Sequence, residues 1–388
     1  MKISKLRIIT ALIIVFSAFF SMPVMAEPVK AYTSGYNIQL RDAPVNGEIK
    51  KRLDSGTEVN IEEAEEGKDG LSWYRVSIPS LSCNGYIRSD FVSAGGEVEG
   101  FPESYSRLLS AIKSKYPLWE LKAYDPAPNM TFDQCVDAET GISVIQSKGF
   151  SINLSEASLN WTPASREKVA YYMDPRNFFL TDSGELNPSF FQFLCGSSTV
   201  GASKSGVENI LSTTSMTGTI PGEGVTYASA VYDSSVDKGI NPYLVAARMR
   251  QEHGNKYGDD LISGNYGGYE GYYNYFNIRA NGDNPVLNGL MYAKDQGWNS
   301  RLKAIKAGIE YLADNYINST DHTQDTLYKQ RFYFKNGSYY HQYMTAIYAA
   351  KIEAQHVYQG YSSNLSAVSE GVFLIPVYRD MPDTPAPL

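Results

Sequence analysis

The sequence predicts a multidomain protein: a small all-β barrel, then a mainly α-helical domain carrying a small irregular, β-containing lobe. Three observations lead there. Between residues 30 and 93, short apolar/polar alternations are separated by turn residues, the pattern of half-buried strands. Beyond residue 100, apolar residues recur at helical spacing. Residues 255–299 interrupt that spacing with a Gly-, Tyr- and Asn-rich stretch that has no helical period.

The elements follow in order. Lys2, Lys5 and Arg7 precede an apolar run from Ile8 to Phe20, and Val24, Met25 and Ala26 follow. That is the form of a secretory signal cleaved after Ala26, although the run is also near the lower limit for an uncleaved membrane anchor. A barrel over 30–95 rests on the alternations at 36–40, 73–76 and 85–92 and on the turn at 53–57; about 60 residues of this kind suit a small barrel. A Gly- and Glu-rich linker spans 93–100. Helices are expected at 101–119, 165–172, 226–238, 242–252, 300–316 and 343–358, with 196–224 as a long surface loop. Residues 96–223 thus read as a helical forerun and loop, 224–374 as a further, mainly helical domain, and 375–388 as a disordered tail.

Composition excludes several classes. The formal charge is −8, or −11 without residues 1–26, which carry three positive charges and no negative one. Such an acidic chain is a poor partner for nucleic acid or an anionic lipid surface. The 30 tyrosines against 4 tryptophans supply flat faces with polar tips that suit stacking on sugar rings, but also fill strands and interfaces. Cys83, Cys135 and Cys195 are too spread to form a disulfide framework; at most one bridge forms, with Cys135–Cys195 one pairing. His253, His322, His341 and His356 match no zinc pattern. No metal or cofactor is expected, and a monomer is.

The segment from Asn241 to Gly254 places one carboxylate against the usual rules. Asn241 is a good N-cap, Pro242 suits the first helical position, and Gly254 supplies the stop. Glu252 therefore falls in the last turn, where the helix dipole disfavours a negative charge. It also shares the inward stripe of Val245 and Met249. Both effects favour the protonated form that a general acid needs. The competing reading is an (i, i+4) ion pair with Arg248, which would hold Glu252 ionised.

Further motifs follow downstream. Tyr272 to Ile278 reads Y-Y-N-Y-F-N-I; Gly297-Trp298 precedes a helix; Gln324 to Arg331 reads Q-D-T-L-Y-K-Q-R; His341 to Ala346 reads H-Q-Y-M-T-A. Upstream stand Phe101 to Tyr105 and the Y-Y-M-D-P-R-N-F run from Tyr171 to Phe178. In this order and spacing, 101–358 resembles the endo-β-N-acetylglucosaminidases of Gram-positive autolysins, glycoside hydrolase family 73 in type. Relatives carry A-x-x-x-x-E-x-G, Y-N-x-[FY]-[GN]-I, G-W, Q-x-T-L-Y and H-Q-Y-x-T-[DN]. Residues 30–95 resemble a bacterial SH3 domain through Leu40-Arg41, Pro44, Gly56-Thr57, Val59, Trp73-Tyr74, Val76, Gly85 to Ile87, and Phe91-Val92.

The resemblance implies a lysozyme-like fold that binds peptidoglycan glycan strands, with peptide stems bound by the SH3-like unit and a place outside the cell or in its wall. It implies that Glu252 is the catalytic glutamate and that Tyr275, or its neighbour Tyr273, stands beside the reacting sugar. Asn274, Trp298, Tyr328, His341, Gln342 and Tyr343 fall on motif positions expected to bind substrate; Trp298 equally fits a staple for the next helix. Ala346 departs from the pattern, since relatives place Asp or Asn there. If 272–276 is extended, Tyr273 and Tyr275 share one face toward the cleft and Phe276 takes the other.

Glycoside cleavage normally uses a second group. Asp259, Asp260, Glu270 and Asp283 lie in the irregular lobe, with Glu270 the first choice, and the substrate's own acetamido group is the route that needs none. His253 is expected to pack or face solvent, and Asp174 with Arg176 to organise a turn. The leading reading is a peptidoglycan hydrolase cleaving after N-acetylglucosamine. A muramidase or lytic transglycosylase on the same fold, and a non-catalytic wall-binding protein, are its alternatives.

Overall fold

The computed structural model describes residues 29–33, 38–54, 57–68, 70–94, 100–116, 118–146, 161–254, 259–362 and 371–388. The N-terminal apolar run with its expected cleavage point, and positions 95–99 of the linker, lie outside the described residues.

Seven strands come first: β1 (Val29–Thr33), β2 (Ile38–Arg41), β3 (Ile49–Leu53), β4 (Glu58–Glu66), β5 (Ser72–Ile78), β6 (Cys83–Arg88) and β7 (Val92–Ala94). They pair antiparallel in the order β3-β2-β6-β5-β4-β1-β7. Alternation does its expected work: Ile38 and Leu40 are buried while Gln39 and Arg41 are half-exposed. Ala31, Val59, Val76, Ile78 and Ile87 join them in one apolar core. Among the described residues the strand order begins at β3 and ends at β7 without the two pairing, so the expected closed barrel is not formed there.

The rest is mostly helical. In order come α1 (Glu103–Lys115), β8 (Glu120–Tyr124), α2 (Phe132–Glu139), β9 (Val144–Gln146), β10 (Trp161–Pro163), α3 (Arg166–Met173), α4 (Lys204–Leu211), α5 (Tyr227–Asp237) and α6 (Pro242–His253). Then follow α7 (Asp260–Ser263), α8 (Pro285–Asp295), α9 (Arg301–Leu312), α10 (Leu327–Arg331), β11 (Phe334–Lys335), β12 (Ser338–Tyr339), α11 (Ala349–Tyr361) and β13 (Val372–Pro376). A second apolar core, distinct from that of the sheet, runs through these elements. α6 is its centre: every residue from Pro242 to Met249 is buried, with α4, α5 and α11 packed around it.

Several expectations are corrected. The span 196–224 is not all loop, since α4 forms there, capped by Ser203 and burying Val207, Ile210 and Leu211. Its single buried face is too short to stand out by period alone. Among the described residues the lobe at 259–299 contains no strand; it holds α7, α8 and tight turns. The last helix starts at Ala349 rather than 343.

The tail is ordered. β13 runs parallel to β8, Val372 beside Glu120 through Pro376 beside Tyr124. The buried Arg176–Asp174 pair, both side chains 0% exposed, then holds the backbone beyond. Arg176 donates to the carbonyls of Pro382 at 2.8 Å and Thr384 at 3.1 Å, and Asp174 accepts from the Ala386 amide at 3.0 Å. A polar, proline-rich stretch buries little apolar surface, so fixed partners for its backbone are what order it. All three cysteines are free thiols, so Cys135 and Cys195 do not pair.

Candidate active site

The signals read from Asn241 to Gly254 act as expected. The Asn241 side chain accepts from the amides of Tyr243 and Leu244 and donates to the Ser198 carbonyl and the Tyr361 hydroxyl. Gly254, at φ 45°, ends the helix, which leaves Glu252 half-buried in the last turn. The Arg248 pair does not form. Arg248 instead donates from Nε to Glu353 Oε1 and from Nη2 to Gln330 Oε1, both at 2.7 Å, and stacks 3.7 Å above the Tyr343 ring.

Glu252 Oε2 accepts a 2.7 Å hydrogen bond from Asn277 Nδ2. Burial holds the Glu252 carboxyl above the ordinary carboxylate range; the charges of Arg248 and His253 and the Asn277 bond oppose this, and Asp259 reinforces it. Burial likewise raises Glu353, against the pull of Arg248. Four buried polar atoms on these groups lack a hydrogen-bond partner among the described residues: Arg248 Nη1, His253 Nε2, Asn277 Oδ1 and Glu353 Oε2. Such a concentration marks a place where polarity is kept for something other than folding.

The tyrosine segment does not lie as an extended strand. It is a run of turns in which Tyr275 and Phe276 are both buried. The Tyr275 hydroxyl meets that of Tyr227 at 3.1 Å, and the Tyr273 hydroxyl accepts from Arg301 at 2.9 Å. Both phenols are buried and bonded to different protein partners, so they do not share one open face. Asn274 is also committed internally, donating to the carbonyls of Ile278 and Gly289 and accepting from the amides of Phe276 and Ile278. Its side chain braces this loop.

Other expected binding residues, His341 apart, also turn inward. Tyr328 is fully buried, its hydroxyl at 2.5 Å from the Met173 carbonyl and 2.7 Å from the Tyr378 hydroxyl. Trp298 is buried edge-on against Tyr292, which fits the staple and not the stacking platform. Gln342 bridges buried Arg331 and Glu139. Exposed His341 faces Gln324 Oε1 through Nδ1 at 3.0 Å. Tyr343 remains at the site: its ring lies under Arg248 and its hydroxyl donates to the Phe276 carbonyl at 2.6 Å. The Q-D-T-L-Y-K-Q-R and H-Q-Y runs thus form a hydrogen-bonded layer that meets α6 through Arg248, by Gln330 and the Tyr343 ring.

Among the lobe acids, Glu270 is exposed, and backbone amides of its own turn hold it below the usual carboxylate range. Asp260 and Asp283 are exposed too. Asp259 caps α7 and reaches His253 Nδ1 at 2.8 Å, so the buried His253 is neither a surface residue nor mere packing. Sequence reasoning passed over Asn277 and the His253–Asp259 pair. The signal for Asn277 lay in its motif position, which admits Gly or Asn and so implies the left-handed backbone it adopts at φ 50°. Among the described residues no group of three or more potential metal ligands occurs.

Curated proteins are similar to parts of this sequence. The β-N-acetylglucosaminidase of Bacillus subtilis (strain 168) is 31% identical over 210 residues, 54% of this chain and 22% of that protein. The chain is a homologue of β-N-acetylglucosaminidases. A bifunctional autolysin of Staphylococcus epidermidis (strain ATCC 12228 / FDA PCI 1200) is 36% identical over 102 residues, 26% of this chain and 7% of that protein. The matched region is thus about a fifth of the Bacillus glucosaminidase's length and less of the autolysin's. The solved S. aureus glucosaminidase B aligns with 68% of this chain and 94% of its own, at 23% identity and a TM-score of 0.44. No family model matches the chain.

Proposed function

We propose that this chain hydrolyses the β-1,4 bond after N-acetylglucosamine in peptidoglycan, with Glu252 as the general acid. One observation carries the role of Glu252: its neighbouring arginine is engaged elsewhere, so a half-buried carboxyl at a helix C-terminus is held by a neutral amide. Both the helix end and burial favour the protonated form at neutral pH. Glu252 then gives its proton to the glycosidic oxygen as the bond breaks. The names of the relatives supply the sugar.

For the opposite face of the sugar, Glu270 is a poor candidate, since it is exposed and tied to its own turn. The substrate's acetamido carbonyl fits better, because it needs no second carboxylate. The seven-stranded sheet serves as an SH3-like module that grips peptide stems, and 224–374 as the catalytic domain. The protein works as a monomer outside the cell, in or near the wall.

The test is mass spectrometry of fragments released from purified peptidoglycan and reduced with borohydride. Reduced N-acetylglucosamine ends are expected, and they should vanish with Glu252→Gln, whose loss is at least ~100-fold for a general acid. Reduced muramic ends would make the chain a muramidase, anhydro ends a lytic transglycosylase, and no soluble fragments a wall-binding protein.

A further inference from the structure

We infer that Asn277 is a positioning residue for Glu252: its side-chain amide pins one carboxyl oxygen and, by turning over, serves that carboxyl in both its protonation states. The inference rests on the reading of Glu252 as general acid.

The backbone at Asn277 does not account for its side chain. At φ 50° the residue is left-handed, which glycine adopts freely and asparagine tolerates. Glycine would satisfy the turn and leave Glu252 without this donor. With asparagine, Nδ2 donates to Glu252 Oε2 at 2.7 Å, and the other end of the amide, Oδ1, is buried without a partner.

The loop around it is fixed on both sides. Tyr343 holds the Phe276 carbonyl at 2.6 Å, and Asn274 accepts from the Ile278 amide at 3.1 Å. The amide is therefore presented to Glu252 by a rigid frame, which is what precise placement of a catalytic group needs.

A carboxylate only accepts hydrogen bonds, while a carboxylic acid also donates one; a primary amide carries a donor at one corner and an acceptor at the other. In this arrangement the amide suits the carboxylate and leaves Oδ1 without a partner, and a buried acceptor left so is unfavourable. Turned by half a rotation, Oδ1 accepts the proton of the carboxylic acid. A general acid passes through both states in every turnover, and Asn277 matches each without any change in its own charge.

Charged and titratable groups also face Glu252 from α6 (Arg248 and His253), from the α7 cap (Asp259), from α11 (Glu353) and from Tyr343. The experiment therefore changes Asn277 alone and measures kcat and KM against pH on soluble muroglycan fragments, with Glu252→Gln alongside. Asn277→Gly keeps the left-handed backbone. Its kcat should fall by ~10- to 100-fold, the size of a lost hydrogen bond to a charged group, with KM and melting temperature little changed.

The alkaline limb of its kcat profile should move to higher pH, because the amide's bond to the ionised carboxyl is charge-assisted and stronger than the bond it makes with the neutral acid. Asn277→Asp sets a second carboxylate against Glu252 and should move that limb further in the same direction. If both variants keep the wild-type kcat and limb while Glu252→Gln is inactive, Asn277 does not position the acid. A loss seen only in KM or in melting temperature overturns the inference equally. An active Glu252→Gln would instead overturn the reading of Glu252 itself.

Discussion

The hydroxyls of Tyr275 and Tyr227 face each other in the core, and burial pushes Tyr275 far above the ordinary tyrosine range. Tyr275→Phe leaves the Tyr227 hydroxyl without that partner, so it should lower stability by about 1–2 kcal/mol and leave kcat within a few-fold. Thermal melts and turnover on muroglycans check this. A large kcat loss with an unchanged melt would return the hydroxyl to the reacting sugar. Glu252 was legible because cap, proline and glycine lie within one helix. That Arg248 pairs elsewhere was not, since its partner Glu353 lies 105 residues further along the chain. The tyrosines were misplaced because the period-2 rule was applied to a segment whose backbone turns instead.

At the scale of elements, α9 fixes the loop that carries Asn277. A Cβ on Gly308 of α9 would come within 2.1 Å of the Phe276 ring. Gly308→Ala should therefore displace Phe276 and, one residue on, Asn277. Alanine favours the helix by up to about 1 kcal/mol over glycine, yet overpacking of this kind typically costs about 1–3 kcal/mol. The expected result is a modest drop in melting temperature with a larger proportional loss of kcat; normal kcat would mean that the loop gives way without moving the amide. Long helices with clear caps, α5, α6 and α9, were readable from their period. α4 and α8 were not: one lay in a Gly/Ser/Thr-rich stretch, the other inside an aperiodic one. The barrel was over-read for a related reason, since alternation specifies strands but not whether their edges meet.

For the whole molecule, the sheet and the helical region have separate cores, with α1 packed against β1 and β7. Deleting 29–94 should leave turnover of short soluble muroglycans nearly unchanged, apart from some loss of stability where α1 is uncovered. Binding to intact walls should weaken, since a linked module contributes effective concentration rather than chemistry. Sedimentation of both forms with purified walls checks this, and equal binding would make the sheet a spacer. The two-part order was visible in the switch from alternating to helical spacing. The strap of 375–388 was invisible, because its partners, Asp174 and Arg176, lie some 200 residues earlier.

The pairing of β8 with β13 also has a mechanical meaning. The strands are parallel and in register from Glu120–Val372 to Tyr124–Pro376, so the chain enters β8 at one end of the ladder and leaves β13 at the other. Tension between the sheet and the tail would pull these strands past each other, not peel them apart. Its rungs would share that shear together, so the ladder would yield only when several break at once.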